Sequence, residues 1–358
     1  MIDLNDVKTL RALDKGGVLH VIGQMPDQLR QGWAGAPPLD LPARYRAVTR
    51  ILIAGMGGSA IGGDLLRVLM ADRCRLPLVV NREYALPAWV DENTLVIASS
   101  YSGSTEETLQ SYADARGRGA AVVALTTGGR LQEVAQADGT PVLIFPQAAS
   151  PRAALGYSFV SLVSLLAQLE LIPYPADEVQ ETVGLLARLV ACWREDVPEQ
   201  NNPAKTLARR LGGYLPAVFG TSPFNIVARR WKSQFNENSK TWAIWDELPE
   251  ADHNSVVGID FPPAVLARLF VIFLAARQED RRSAIRRQVT AEVFSEAGIT
   301  CEHVVAEGDS LMAQVFSLVL FGDYVSCYLA LMQGTDPTPI TAIERLKARL
   351  AELGRESG

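Results

Sequence analysis

Short, nearly uninterrupted apolar runs alternate with stretches of helical periodicity. Arg50-Ile51-Leu52-Ile53-Ala54 stops at Gly55-Met56-Gly57-Gly58-Ser59, and apolar residues then recur at helical spacing over 60–70. A run of that kind reads as a strand buried on both faces, led into a helix by a glycine turn. Further strands are predicted at 78–80 and 94–99. Residues 100–105 again form a turn of small polar residues, ahead of a helix over 106–116. Strands at 121–125 and 141–145 follow, with a helix over 131–137 between them.

Residues 153–194 have helical leucine spacing, and 198–203 reads as a hinge. Leu215-Pro216-Ala217-Val218-Phe219-Gly220-Thr221-Ser222-Pro223 then repeats the theme of strand and small-residue turn, before a helix over 225–236. Later strands are expected at 256–259, 268–275 and 301–305, and amphipathic helices over 311–333 and 341–353. Strands alternating with helices predict an α/β fold of parallel sheets with right-handed crossovers and helices on both faces. Ligands in such sheets sit at the carboxyl ends of the strands. A chain of 358 residues exceeds what one core usually supports. The expected division is a helical lead-in over 1–47, with a Gly/Pro-rich break at 32–38, a first sheet domain over 48–165, a helical linker over 166–204 and a second sheet domain with a C-terminal helix over 205–358.

Composition narrows the function. Hydrophobic residues at 48% and charged residues at 21% describe an ordinary globular chain. With a net charge of -6 and no basic stripe, nucleic acid is not an expected partner. Cys74, Cys192, Cys301 and Cys327 are widely spaced, which fits a reducing cytoplasm and no zinc or redox motif. The N-terminal segment carries charges throughout, so no signal peptide is expected. Apolar stretches such as 266–276 are broken by Arg and too short to cross a bilayer.

Candidate chemistry begins at the two turns, 55–59 and 100–105, which follow strands of one sheet. A Gly/Ser turn that opens a helix presents free N–H groups, hydroxyls and the positive end of the helix dipole, a combination suited to a phosphate. Ser59, Ser100, Ser102 and Thr105, with the Gly57 and Gly58 backbone, form the candidate anion pocket. Either turn alone reads as ordinary N-capping; the pair favours an anion site. The turns lack a Walker lysine and GxGxxG spacing, so neither nucleotide hydrolysis nor dinucleotide binding is implied.

The segments Gly55-Met56-Gly57-Gly58-Ser59-Ala60-Ile61-Gly62-Gly63-Asp64, Ser100 to Thr108 and Ser150-Pro151-Arg152-Ala153-Ala154-Leu155-Gly156-Tyr157 resemble the bifunctional phosphoglucose/phosphomannose isomerases, which are sugar isomerase (SIS) domain proteins. Arg230-Trp231-Lys232-Ser233-Gln234-Phe235-Asn236-Glu237-Asn238-Ser239-Lys240, Glu250-Ala251-Asp252-His253-Asn254 and Ala342-Ile343-Glu344-Arg345-Leu346-Lys347 extend the resemblance over about residues 45–350. Ser104 stands where the family usually has Asn, and Asp252 where Asn or another polar residue is common.

The resemblance implies two SIS domains, each a five-stranded parallel sheet between helices in a flavodoxin-like αβα sandwich. It also implies a homodimer with active sites at the interface, acting on a phosphorylated hexose. No His/Cys/carboxylate set has metal-ligand spacing and aldose–ketose isomerisation needs no redox cofactor, so neither metal nor cofactor is expected. Glu237 falls at the family's base position, although a Glu in a polar helical segment is usually a solvated surface residue. Arg152, a permanent cation in a small and apolar stretch, matches enediolate stabilisation, with an ordinary ion pair as the alternative. His253 is implied to reach the partner's site as the ring-opening acid; Glu250 and Asp252 would favour its charged form if they lie close. Lys347 matches the terminal lysine, with Lys205, Lys232 and Lys240 as substitutes, and Thr338 or Thr341 would shape the C2 pocket. His20 and His303 carry no assignment. A phosphosugar-sensing regulator without catalysis, or an isomerase of another phosphosugar such as an aminosugar phosphate, are the competing readings.

Overall fold

The computed structural model describes residues 1–35, 41–148 and 150–356, so residues 36–38 of the expected Gly/Pro break lie outside it. Helices α1 (Val7–Leu13), α2 (Val18–Gly23) and α3 (Met25–Ala34) precede the first sheet unit. That unit runs β1 (Arg50–Ala54), α4 (Gly57–Leu69), β2 (Leu78–Asn81), β3 (Thr94–Ser100), α5 (Glu106–Gly117), β4 (Ala121–Thr126), α6 (Gly129–Ala137) and β5 (Val142–Ile144). Its strands are all parallel, in the order β2-β1-β3-β4-β5. The direction of winding reverses between β1 and β3, which opens a crevice at the carboxyl edge there.

Helices α7 (Leu155–Gln168), α8 (Ala176–Trp193) and α9 (Pro203–Arg210) lead to the second unit. It comprises β6 (Leu215–Thr221), α10 (Phe224–Gln234), β7 (Ile244–Leu248), α11 (Pro263–Leu266), β8 (Leu269–Ala275), α12 (Arg281–Glu296) and β9 (Thr300–Val305), and α13 (Leu311–Met332) and α14 (Thr341–Glu356) end the chain. This sheet is also parallel, with the order β7-β6-β8-β9. Among the described residues it has four strands rather than the expected five. No strand forms at 256–259, where the chain makes a 3-10 turn, Ser255–Val257; the strand is β7. An edge strand with one side in water tolerates Asp246 and Glu247, and so lacks the apolar run that marks a central strand.

Strand periodicity sorts the core. Ile51 and Ile53 of β1, with Leu95 and Ile97 of β3, face a core that also receives Val218 of β6 and Phe270, Ile272 and Leu274 of β8. The alternate residues Leu52, Val96 and Val122 back onto a separate cluster under α5 and α6, and Ala217, Phe219, Val271 and Phe273 onto another beneath α12. The inner faces of both sheets thus share one core, with helices between them.

Helix α13 lies in that core, which corrects the expectation of an amphipathic helix at 311–333: every residue from 312 to 332 is buried. The helix is long and apolar enough to cross a membrane by length and composition, but its apolar surface is covered by the protein itself. It packs against α8, α9 and α10. Its one charged side chain, Asp323, accepts from Arg230 Nε at 3.1 Å, Arg230 Nη2 at 2.7 Å and Gln234 Nε2 at 2.7 Å. With side chains only 3% and 2% exposed, Arg230 and Asp323 each depend on the other for their charge to be tolerated.

Removing one partner leaves a buried charge alone. Asp323→Ala is therefore expected to cost about 3–5 kcal/mol of stability, read from the urea midpoint. A loss below about 1 kcal/mol would mean that Arg230 finds water in place of its carboxylate.

Candidate functional site

Strands β1 and β3 are neighbours, so the turns that follow them lie side by side at the reversal point of the sheet. The first turn passes directly into α4, which begins at Gly57 and not at residue 60 as expected. Gly57 has φ +49°, a conformation glycine adopts without the penalty a Cβ brings. Ser59 is buried, and its Oγ accepts the Tyr101 N–H at 3.0 Å, tying one turn to the other. In the second turn Ser100 Oγ and Thr105 Oγ1 are 2.8 Å apart, and Ser102 Oγ accepts the Ser104 N–H at 3.2 Å. Ser59, Ser100, Ser102 and Thr105 are thereby brought to one edge. Glu106 and Glu107 occupy the first turn of α5, but Glu106 is engaged by the Tyr84 hydroxyl at 3.2 Å.

Gly58 brings the first turn against the segment carrying Arg152. A Cβ there would lie 2.9 Å from the Pro151 carbonyl oxygen and 3.2 Å from the Arg152 nitrogen, so α4 can approach this closely only through glycine. Arg152 is itself 6% exposed. Its Nε donates to Asn238 Oδ1 at 2.8 Å, and its Nη2 to the carbonyls of Pro337 and Thr338 at 2.9 and 3.1 Å. The remaining edge, Nη1, stands 3.5 Å from the Glu237 carboxylate. Burial pushes Arg152 down from the ordinary guanidinium value, with the Glu237 charge opposing, yet guanidinium stays charged under any ordinary condition.

Glu237 and Asn238 lie in a widened, π-helical turn, Phe235–Ser239, that continues α10. Such turns displace side chains from helical register and recur at functional sites. Asn238 faces inward, taking Arg152 on its oxygen and donating to Ser326 Oγ at 3.0 Å. Glu237 keeps 28% of its side-chain surface in solvent, open to a ligand. Beneath them Arg230 Nη2 donates to the Arg152 carbonyl at 3.0 Å, so the Asp323 pair supports the same turn. The assembled features are a hydroxyl-rich helix entry, a fixed cation and an accessible carboxylate in one continuous chain of contacts.

Comparison with known proteins bears on this arrangement. Residues 200–350 match the family model described as bacterial phospho-glucose isomerase C-terminal SIS domain. A bifunctional phosphoglucose/phosphomannose isomerase of Caldicellulosiruptor bescii is 42% identical over 92% of this chain and 97% of its own length. This chain belongs to the bifunctional phosphoglucose/phosphomannose isomerase family. A D-glucosamine-6-phosphate 4-epimerase of Sulfolobus acidocaldarius is 32% identical over 61% of this chain and 66% of its own. The fold matches a glucose-6-phosphate isomerase like protein from Thermus thermophilus, with a TM-score of 0.64 at 20% identity, covering 97% of this chain and 99% of that one. The chain is an isomerase, built on two parallel sheets of the SIS type.

Elsewhere in the isomerase, the other expected residues stand apart. His253 is exposed at the end of a short 3-10 turn, Glu250–His253. The acids expected to favour its charged form point elsewhere: Asp252 pairs with Arg286 at 2.7 Å and Thr290 at 2.8 Å, and Glu250 accepts from Asn254 at 3.0 Å. Lys347 is exposed on α14. Thr338 turns its hydroxyl to the Gly16 N–H at 3.1 Å and offers Arg152 only its carbonyl, while Thr341 is exposed at the start of α14. Of the substitute lysines, Lys205 is spent on the carbonyls of Glu195 and Val197 at 2.7 and 2.8 Å, whereas Lys240 lies beside Glu237. Asn238, Arg230 and Asp323 belong to the site's framework but carry no sequence assignment. Asp323 had a usable signal, as a lone charge in an apolar run of helix length.

A methyl group at Gly58 must displace backbone, not a flexible side chain. Gly58→Ala is expected to lower turnover by at least about tenfold through displacement of Arg152. Gly117→Ala, where a Cβ meets nothing within 4 Å, is the control; equal turnover in both variants would show that the contact with Pro151 carries no catalytic consequence.

Proposed function

We infer that this isomerase interconverts glucose 6-phosphate and mannose 6-phosphate with fructose 6-phosphate by moving a proton between C1 and C2 of the opened sugar. The observation that carries the reading is Arg152, in contact through Pro151 with the glycine turn of α4 on one side and 3.5 Å from the Glu237 carboxylate on the other. The turns around Ser59, Ser100, Ser102 and Thr105, with the Gly57 and Gly58 N–H groups, hold the phosphate at the helix entry. Glu237 removes the C2 proton and returns it at C1; a single carboxylate serves both carbons of a cis-enediol. Arg152 Nη1 faces the oxyanion that develops, and the other guanidinium nitrogens are already fixed, so no reorganisation accompanies charge formation. Glucose and mannose differ only at C2 and give the same enediolate. This chemistry draws its positive charge from Arg152 and calls for no metal or redox cofactor.

Ring opening falls to His253 and Lys347, and both need a second copy or a moved helix to act. A homodimer with His253 donated across the interface suits the surface around it: Val257 is 75% exposed and Phe261 83%, an apolar patch of the kind that marks a contact surface. Four free cysteines suit a reducing cytoplasm. The epimerase relative favours a second reading, an aminosugar phosphate as substrate, and product identification across a phosphosugar panel separates the two.

Glu237→Gln is expected to reduce isomerisation of glucose 6-phosphate and mannose 6-phosphate by about 10²–10⁴-fold and to abolish solvent deuterium incorporation at C2. Full turnover in that variant ends the base assignment, and absence of both activities in the parent ends the substrate assignment. Refolding Glu237→Gln together with His253→Ala tests the shared site. If the histidine crosses the interface, random pairing restores about a quarter of parental activity, since half the dimers then hold one intact site. If it acts within its own chain, no activity returns.

A further inference from the structure

Lys240 has a part in the site that neither the phosphate turns nor the base requires of it. It ends the π-helical turn with φ +55°, in a left-handed conformation where glycine or asparagine is the low-cost choice. Glu170 is the other non-glycine residue with positive φ among those described. The conformation folds the lysine back over its own turn. Its Nζ donates to the carbonyls of Glu237 at 2.6 Å, Asn238 at 3.3 Å and Pro337 at 3.1 Å. An ammonium has three donors, and here each has an acceptor.

Two of those acceptors belong to the turn that carries the base. The third, Pro337 O, is also held by Arg152 Nη2 at 2.9 Å. One carbonyl therefore receives both cations, and the Glu237 turn, the Arg152 guanidinium and the 337–338 segment are joined at a single point. Lys240 is exposed as a residue, but its ammonium end is drawn in among the three carbonyls, where partial desolvation and then the neighbouring Arg152 charge lower it from its ordinary value.

We propose that Lys240 is a positioning residue, clamping the Glu237 turn to the Pro337 carbonyl so that the base carboxylate and the Arg152 guanidinium keep their separation. It does not touch the substrate; it acts through the backbone on either side of the reacting pair. The same clamp fixes the point from which α14, the helix of Lys347, leaves the body of the protein. The inference rests on the proposed isomerisation for its kinetic consequence, but the clamp itself is a property of the fold.

The test uses the full chain carrying Lys240→Asn, which tolerates the left-handed backbone but cannot reach Pro337, and Lys240→Arg, which keeps the cation and its length. Lys240→Gly, free of backbone strain, serves if the asparagine variant does not fold. Hydrogen–deuterium exchange is read at 235–240 and 335–340, and kinetics on glucose 6-phosphate. In the asparagine variant both segments should exchange at least about fivefold faster while 55–60 and 100–105 are unchanged. Its kcat should fall about 10- to 100-fold with KM within about threefold, because the phosphate turns are untouched, and the arginine variant should recover most of the rate. Unchanged exchange in both segments, or a loss carried by KM alone, overturns the clamp. A shift in the pH dependence of kcat that the arginine variant does not reverse also overturns it, because the lysine would then be exchanging a proton. If the parent proves inactive on every phosphosugar but the exchange responds as stated, the clamp stands and the reaction assignment is what fails.

Discussion

A guanidinium cannot shed its charge when buried, so a protein that buries one must find a fixed acceptor for each donor it removes from water. Arg152 sets this requirement at the junction of the two sheet units. Three of its hydrogen bonds go to Asn238 of the widened turn and to Pro337 and Thr338 beyond the central helix. Its backbone carbonyl is held in turn by Arg230, whose charge is balanced by Asp323. The cation can be satisfied only if the first unit, helix α10 and the end of α13 are all in place, so completing the fold and assembling the site are one event. The geometry that results leaves a single edge of the guanidinium facing Glu237. Such a group has no freedom left to lose when a negative charge forms beside it.

The two sheets share a winding order but divide the labour. In the first, the reversal between β1 and β3 opens onto Ser59, Gly57 and Gly58 at the entry of α4, the kind of turn that suits an anion. In the second, the corresponding turn after β6 is occupied by acids. Thr221 Oγ1 donates to Glu279 Oε1 at 3.5 Å, and Asn225, in the first turn of α10, donates to Glu247 Oε2 at 2.5 Å. A phosphate dianion would be repelled there. Helix α10 contributes at its end, where the widened π-helical turn projects Glu237 and Asn238 toward Arg152. On the proposed reading the substrate's tail and its reacting carbons are served by different units, which the close approach at Gly58 brings together.

How much of this could be read beforehand follows from what each feature demands of the sequence. Strands β1, β3 and β4 are covered on both faces and are apolar through their middles, so each is visible as a run; β7, at an edge, tolerates Trp245-Asp246-Glu247 and leaves no such trace. The glycine and serine turns are legible because their chemistry is local, concentrated in Gly57-Gly58-Ser59 and Ser100 to Thr105. The meeting of Arg152 with Glu237 is not local. It depends on the packing of α4 against the 151–153 turn, and only resemblance to a family pointed to it from the chain alone. Lys240 was one cation among several in a polar stretch, because its importance lies in a backbone angle and in a carbonyl nearly a hundred positions away, neither of which a residue type encodes.

His253 and Lys347 stay outside for the same physical reason. Burying Arg152 and the Asp323 pair uses the inner faces of both units, which leaves the outer loops, including that of His253, on the surface. Helix α14 is another consequence. Ile343, Leu346 and Leu350 stand on one side of it, between 38% and 59% exposed, at a spacing that normally faces a partner. A helix of 16 residues gains little stability from its own hydrogen bonds, so an apolar stripe left in water is a cost that contact with another surface would remove. The groups assigned to ring opening lie on these two exposed elements, whereas those assigned to proton transfer lie in the interior. Proton transfer needs a carboxylate and a cation held to within fractions of an ångström, which a packed core supplies. Admitting and opening a cyclic sugar needs access, and that is best met by elements that one chain leaves outside.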